Sequence, residues 1–194
     1  ADNNTAVGYN SLLANTTGAS NTAVGSVALA SHTTANSCTA VGYNALNANT
    51  TGANNTALGA GALDLNTTGA ENVAVGSAAL DANTTGTMNV AIGRNAMGAS
   101  TTKGSNVAIG YQSMSTASQG DFGTAVGHNS LYSNTADSNT AIGYNSMFYN
   151  TSGTANVALG YASLDANTTA SNNTAVGYAS LTANTTGTQN TAVG

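Results

Sequence analysis

Apolar residues in this chain return on a fixed period. The glycine closing each Ala-Val-Gly-like phrase falls at Gly8, Gly25, Gly42, Gly59, Gly76, Gly93, Gly110, Gly127, Gly143, Gly160, Gly177 and Gly194. The interval is 17 residues except between Gly127 and Gly143, where it is 16. The residue before each glycine is aliphatic: Val7, Val24, Val41, Leu58, Val75, Ile92, Ile109, Val126, Ile142, Leu159, Val176 and Val193. Ala precedes it in every copy, and four residues after each glycine comes Leu or Met, as at Leu12, Leu29, Leu46, Leu63, Leu80 and Met97. Phrases such as NTTG at 49–52 and 83–86 fill the stretch between.

This period selects the element type. Two helices per 17 residues would each have under two turns and would be built from Asn, Thr and Gly, which are poor helix formers. Strands fit better. In NTAVGY at 173–178, Thr, Val and Tyr fall on one side of an extended chain, with Ala and Gly on the other. NTTG supplies turn chemistry, since Gly tolerates positive φ and Asn bonds its own backbone. The pattern predicts an all-β, parallel β-solenoid (β-roll) of about twelve 17-residue turns, each with about two short strands. Residues 1–194 form one repeat array, with no second domain and no linker. At the usual strand spacing, twelve turns make a rod roughly 55 Å long. The 16-residue interval reads as a one-residue deletion in a corner.

Stacking accounts for the repetition. Asn stands four residues before the glycine in ten of twelve copies, with Cys38 and Gly123 as the exceptions. Stacked amides can bond along the rod as a ladder. The Leu/Met row and the Val/Ile/Leu row form continuous apolar stripes. A strand with one wet face alternates with polar residues, yet here both faces are apolar, and Val73, Val90, Val107 and Val157 replace the Thr before Ala. One face is expected to line the coil and the other to meet a further copy of the chain, so self-association through this strand is expected, with the NTTG corner outward.

Composition narrows the function classes. Only 5% of residues are charged, against about 25% in ordinary soluble domains, so Asn, Thr and Ser must carry solubility. Two Lys+Arg face seven Asp+Glu, for a net charge of -5. The basic footprint needed for nucleic acid or an anionic membrane is missing. Cys38 is the only cysteine, so there is no intrachain disulfide. No apolar run reaches 18 residues, so no membrane insertion by a helix is expected.

NVAIG at 89–93 and 106–110, followed by Ala or Ser and then Leu or Met, resembles the head repeat of trimeric autotransporter adhesins. Similar repeats occur in phage tail fibres and other surface fibres. The resemblance covers the whole array. It implies a left-handed parallel β-roll, a homotrimer of three chains about one axis that extends to a longer filament, and projection from a cell or virion surface toward a host surface or glycan. The family's repeats are usually a few residues shorter, which implies an enlarged outer corner here. Its neck, coiled-coil stalk and anchor have no counterpart in these residues, so the fold carries over more directly than the secretion route or a ligand. The array opens and closes within its own pattern, and a segment of a longer fibre is expected.

Catalytic, metal and cofactor constellations are not expected. His32 and His128 stand at different repeat positions and read as surface substitutions. Asp64 and Asp81 share a repeat position on adjacent turns, with Asp165 repeating it later, and read as solvated side chains. Cys38 reads as a buried or idle thiol, and no Ser or Thr has a His or Cys base in a triad motif. Asn15, Asn49, Asn66, Asn83, Asn150, Asn167 and Asn184 each begin an N-x-[ST] triplet on the presumed outer corner, where glycans would coat the rod. The adjacent column, including Thr16, Thr33, Thr50, Thr67 and Thr84, is the alternative functional feature, because a flat threonine array on an uncharged solenoid suits ice binding. The least regular stretch runs from Gly98 to Asp137, beside both cations, Arg94 and Lys103. Phe122 and Tyr132 are the candidates there for lateral contact with a ligand.

Overall fold

The computed structural model describes residues 1–116 and 120–194. Twelve strands, from β1 (Thr5–Val7) through β6 (Val90–Ile92) and β7 (Val107–Ile109) to β12 (Thr191–Val193), form one parallel sheet in chain order. The register repeats without slippage: Ala91 lies opposite Ala108, and Ile92 opposite Ile109. Each strand is one rung of a β-solenoid, and no described residue is helical.

Each turn holds one three-residue strand rather than two. The dihedrals give the reason. The second and fourth residues after the repeat glycine have left-handed backbones, as at Asn44 (φ 54°) and Leu46 (φ 51°), and so does the fifth before it, as at Asn54 (φ 59°). Alternating left-handed residues coil the chain too tightly for a second strand. Hydrogen bonds between turns continue regardless: Leu46 N–H donates to Ala62 O at 3.0 Å and Thr50 N–H to Thr67 O at 2.9 Å.

The interior is narrow and filled by small side chains around one large one. Strand alanines such as Ala74 and Ala91 are fully buried, as are Leu29, Leu46, Leu63 and Leu80, while Leu12 and Leu181 in the terminal turns are partly covered. Side chains at the strand's outer positions are half-buried or exposed. The alanine face of the TAVG strand is therefore the inner one and the aliphatic face the outer one, an assignment the sequence pattern leaves open.

The short interval leaves the sheet undisturbed, since Thr124 still pairs with Thr140. The missing residue lies between Asn134 and Asn139. Asn134 Nδ2 donates to a carbonyl two residues on, Ala136 O at 2.7 Å, whereas Asn150 reaches three on, to Gly153 O at 2.9 Å. The deletion falls in the corner, as the sequence predicts.

Candidate functional site

Two asparagine columns run inside the rod. In the one before the strand, Asn72 Nδ2 donates to Asn55 Oδ1 at 3.2 Å and to Gly86 O at 2.9 Å. Asn72 Oδ1 in turn accepts from Asn89 N–H at 3.0 Å. The anticipated amide ladder is therefore present. Cys38 interrupts it, buried, with its Sγ–H donating to Gly52 O at 3.2 Å. Burial raises its thiol pKa, against smaller opposing contributions from backbone hydrogen bonds. At Gly123 a Cβ would lie 2.6 Å from Met114 Cε, so the methionine occupies some of the space an Asn would need.

The second column corrects the expectation for the sequons. Asn49, Asn66, Asn83, Asn150 and Asn167 are fully buried, not on an outer corner, and Asn15 and Asn184 in the terminal turns are half-buried. Each Nδ2, the atom a glycan would need, is engaged: Asn66 Nδ2 donates to Asn49 Oδ1 at 2.8 Å and to Gly69 O at 2.9 Å. Asn15 donates to Gly18 O at 3.1 Å and Asn184 to Gly187 O at 2.9 Å. An amide offers two donors and an acceptor, which suits its own turn's carbonyl and the next turn's amide together. That fit draws the side chain inward.

His32 belongs to this same column and is fully buried, so its reading as a surface substitution is also corrected. His128 is exposed. Asp81 and Asp165 are partly buried, and desolvation raises both carboxyl pKa values, Asp64 adding a small repulsion at Asp81. Among the described residues no group of three or more His, Cys, Asp and Glu side chains could hold a metal ion. No cavity is present among them either.

The corner presents threonine. Thr33, Thr50 and Thr67 donate their hydroxyls to the next turn's backbone, at 3.0 Å for Thr50 to Thr67 O. The neighbouring column, Thr17, Thr34, Thr51, Thr68, Thr85 and Thr102, is exposed. Phe122 is also exposed, at φ 60°, and has no ring partner among the described residues. Tyr132 instead stacks on Phe148 at 4.9 Å, with Tyr149 edge-on to Phe148, so the two residues singled out for lateral contact do not form one aromatic cluster. Lys103 pairs with Asp121 at 3.3 Å. Both are partly exposed, so the pair contributes little.

The outer sheet face carries an aliphatic side chain in every turn. Val7, Val24, Val41, Leu58, Val75, Ile92, Ile109, Val126, Ile142, Leu159, Val176 and Val193 project from it; Ile109 is 36% exposed and Leu159 43%. Beside them runs a column that sequence reasoning missed. Tyr111, His128, Tyr144, Tyr161 and Tyr178 stack on successive turns with centroids 5.0, 5.1, 5.2 and 5.1 Å apart. Arg94 lies 5.9 Å from the Tyr111 ring centre, extending the stack by one turn. The available signal is an aromatic residue directly after the repeat glycine in five consecutive copies.

Comparison with protein-family models, curated proteins and solved structures returned no match.

Proposed function

We propose that the chain is a non-catalytic structural or adhesive segment of an extracellular fibre, as stalk or head, at a cell or virion surface. The outer sheet face carries this reading. It is an uninterrupted aliphatic column on a rod that has almost no charge, and a monomer would leave it in water. Burying apolar surface stabilises association by about 25 cal/mol per Å², and a column repeated on every turn gains that stabilisation along its whole length. Three copies of the chain packed on this face form the fibre. Inter-turn hydrogen bonds and the internal amide ladders stiffen each rod along its axis. Light scattering of the native particle tests the reading: a mass three times the 18.8 kDa of one chain, or a multiple of that, supports it, and a monomer overturns the trimer.

A second reading rests on the adjacent threonine columns of the corner, one tied to the backbone and the other exposed. Regular hydroxyls and methyls at strand spacing suit ice binding. Its signature is thermal hysteresis by a monomer, abolished by charged residues at Thr51 and Thr68.

A further inference from the structure

The stack from Tyr111 to Tyr178 is a built feature rather than five separate exposed rings. The rings repeat at 5.0 to 5.2 Å with interplanar angles of 8 to 28°. That repeat is the strand spacing of the sheet, so the ring faces cover one another along the rod axis and the ring edges form a ridge. Ile142 and Leu159 end their strands two residues before Tyr144 and Tyr161, which stand in the turn after the repeat glycine, and all four are exposed. The aliphatic and aromatic columns keep this two-residue offset from Ile109 and Tyr111 to Val176 and Tyr178, and so form a strip that repeats along the axis.

Such a strip selects ligands by shape. A compact molecule touches one or two rungs, whereas a flat rod laid along the axis touches several at once. The chain carries seven carboxylates against two basic side chains, and the one beside the stack, Arg94, sits at its end. The net negative charge of the chain favours a cation over an anion. We infer that the strip formed by the Tyr111–Tyr178 ladder and the neighbouring aliphatic column binds rod-shaped, conjugated, cationic aromatic molecules lying parallel to the rod axis. Where a trimer buries the aliphatic column, the ring edges of the ladder alone must carry the contact. The column directly after the repeat glycine must only stay open to solvent.

Thioflavin T, a cationic dye of this shape, is the probe. Its fluorescence is titrated with the full chain, and light scattering gives the particle mass in each sample. Saturable binding with enhanced emission is expected. The double variant Tyr144→Ser/Tyr161→Ser should weaken it at least about tenfold, because each aromatic contact contributes on the order of the energy of a stacked pair. Ser26 and Ser77 already occupy this column, so the variant should keep the fold, which circular dichroism checks. Tyr9→Ser/Tyr43→Ser, at tyrosines outside the stack, should leave binding unchanged. Absence of saturable binding, or equal binding by the ladder variant, overturns the inference. A trimer that excludes the dye overturns it while leaving the fibre reading standing. A monomer that binds the dye sinks the trimer and supports the strip. Equal affinity for an anionic dye of the same length overturns the charge preference.

Discussion

His32 accepts a hydrogen bond from Asn49 across one turn of the rod, with Asn49 Nδ2 donating to His32 Nδ1 at 3.1 Å. Its other ring nitrogen, Nε2, donates to Ala35 O at 2.8 Å. The partners fix the tautomer, because an amide N–H must donate and a carbonyl must accept. The imidazole thus imitates the asparagine found in neighbouring turns, but with one N–H where an amide has two. Asn15 Oδ1, on the preceding turn, is left buried without a partner.

The substitution makes stability depend on pH. Burial lowers the His32 pKa from 6.5, and the bond to Ala35 offsets only some of that. The unfolded chain therefore takes up a proton before the folded one does, and stability is complete above pH 6.5 and declines as the pH falls from there toward the lowered native value. Asp81 and Asp165, whose pKa values are raised in the fold, act in the opposite sense at lower pH. His32→Asn isolates the histidine: the difference in urea midpoint between variant and wild type should grow below pH 6.5. Above it, the variant should be more stable by about 1 kcal/mol, for the restored hydrogen bond to Asn15. A constant difference across that range would refute the assignment.

Asn72 tests the ladder where it is complete. Its amide serves Asn55 Oδ1, Gly86 O and Asn89 N–H, all buried. Asn72→Leu should destabilise the chain by about 2–4 kcal/mol, since several buried groups lose partners at once. Cys38→Asn should act in the other direction, giving Asn55 N–H the acceptor that other turns supply. Chemical denaturation of both variants checks the pair, and equal midpoints would remove the ladder as a source of stability.

Much of this was legible in the sequence because a solenoid writes each contact twelve times. The period exposed the rungs, the register, the apolar stripes and the ladder before the strand, but not which face of the strand turns inward. Backbone handedness was hidden. Leu46 and Leu63 adopt φ near 50°, a conformation that leucine rarely takes and that no composition signals. The missing second strand follows from this. So does the inward rotation of the asparagines at 49, 66 and 83, which turn propensity alone places outside. His32 was misplaced for the same reason, and the aromatic stack was missed because its rings are contiguous only after the chain is wound.

Two glycines separate conformational from steric need. Gly93 has φ 131°, and a Cβ there would lie 2.5 Å from Gly110 O on the next turn. Backbone cannot yield as a side chain can, so Gly93→Ala must force adjacent turns apart and should cost at least about 3 kcal/mol. Gly61 has φ 68°, nothing lies within 4 Å of where a Cβ would stand, and its column holds Ala78 and Ala162 in other turns. Gly61→Ala should therefore cost no more than about 1 kcal/mol. Thermal unfolding ranks the two, and similar losses would mean that close inter-turn approach does not govern the glycine row.

Ile109 and Ile142 separate assembly from folding. Each is more than a third exposed in the single chain, so Asp at either position should change the stability of an isolated rod by about 0.5 kcal/mol, the scale of ordinary surface substitutions, or somewhat more for lost strand propensity. In a threefold assembly the same change places three carboxylates near one axis in surroundings with almost no cations. Burying unpaired charge costs several kcal/mol per ion, and like charges add repulsion. The double variant Ile109→Asp/Ile142→Asp should thus keep the circular dichroism of the wild type while its particle mass falls to that of one chain. If the mass stays at three chains, this face is not the interface, and the aliphatic column must be accommodated in water by other means.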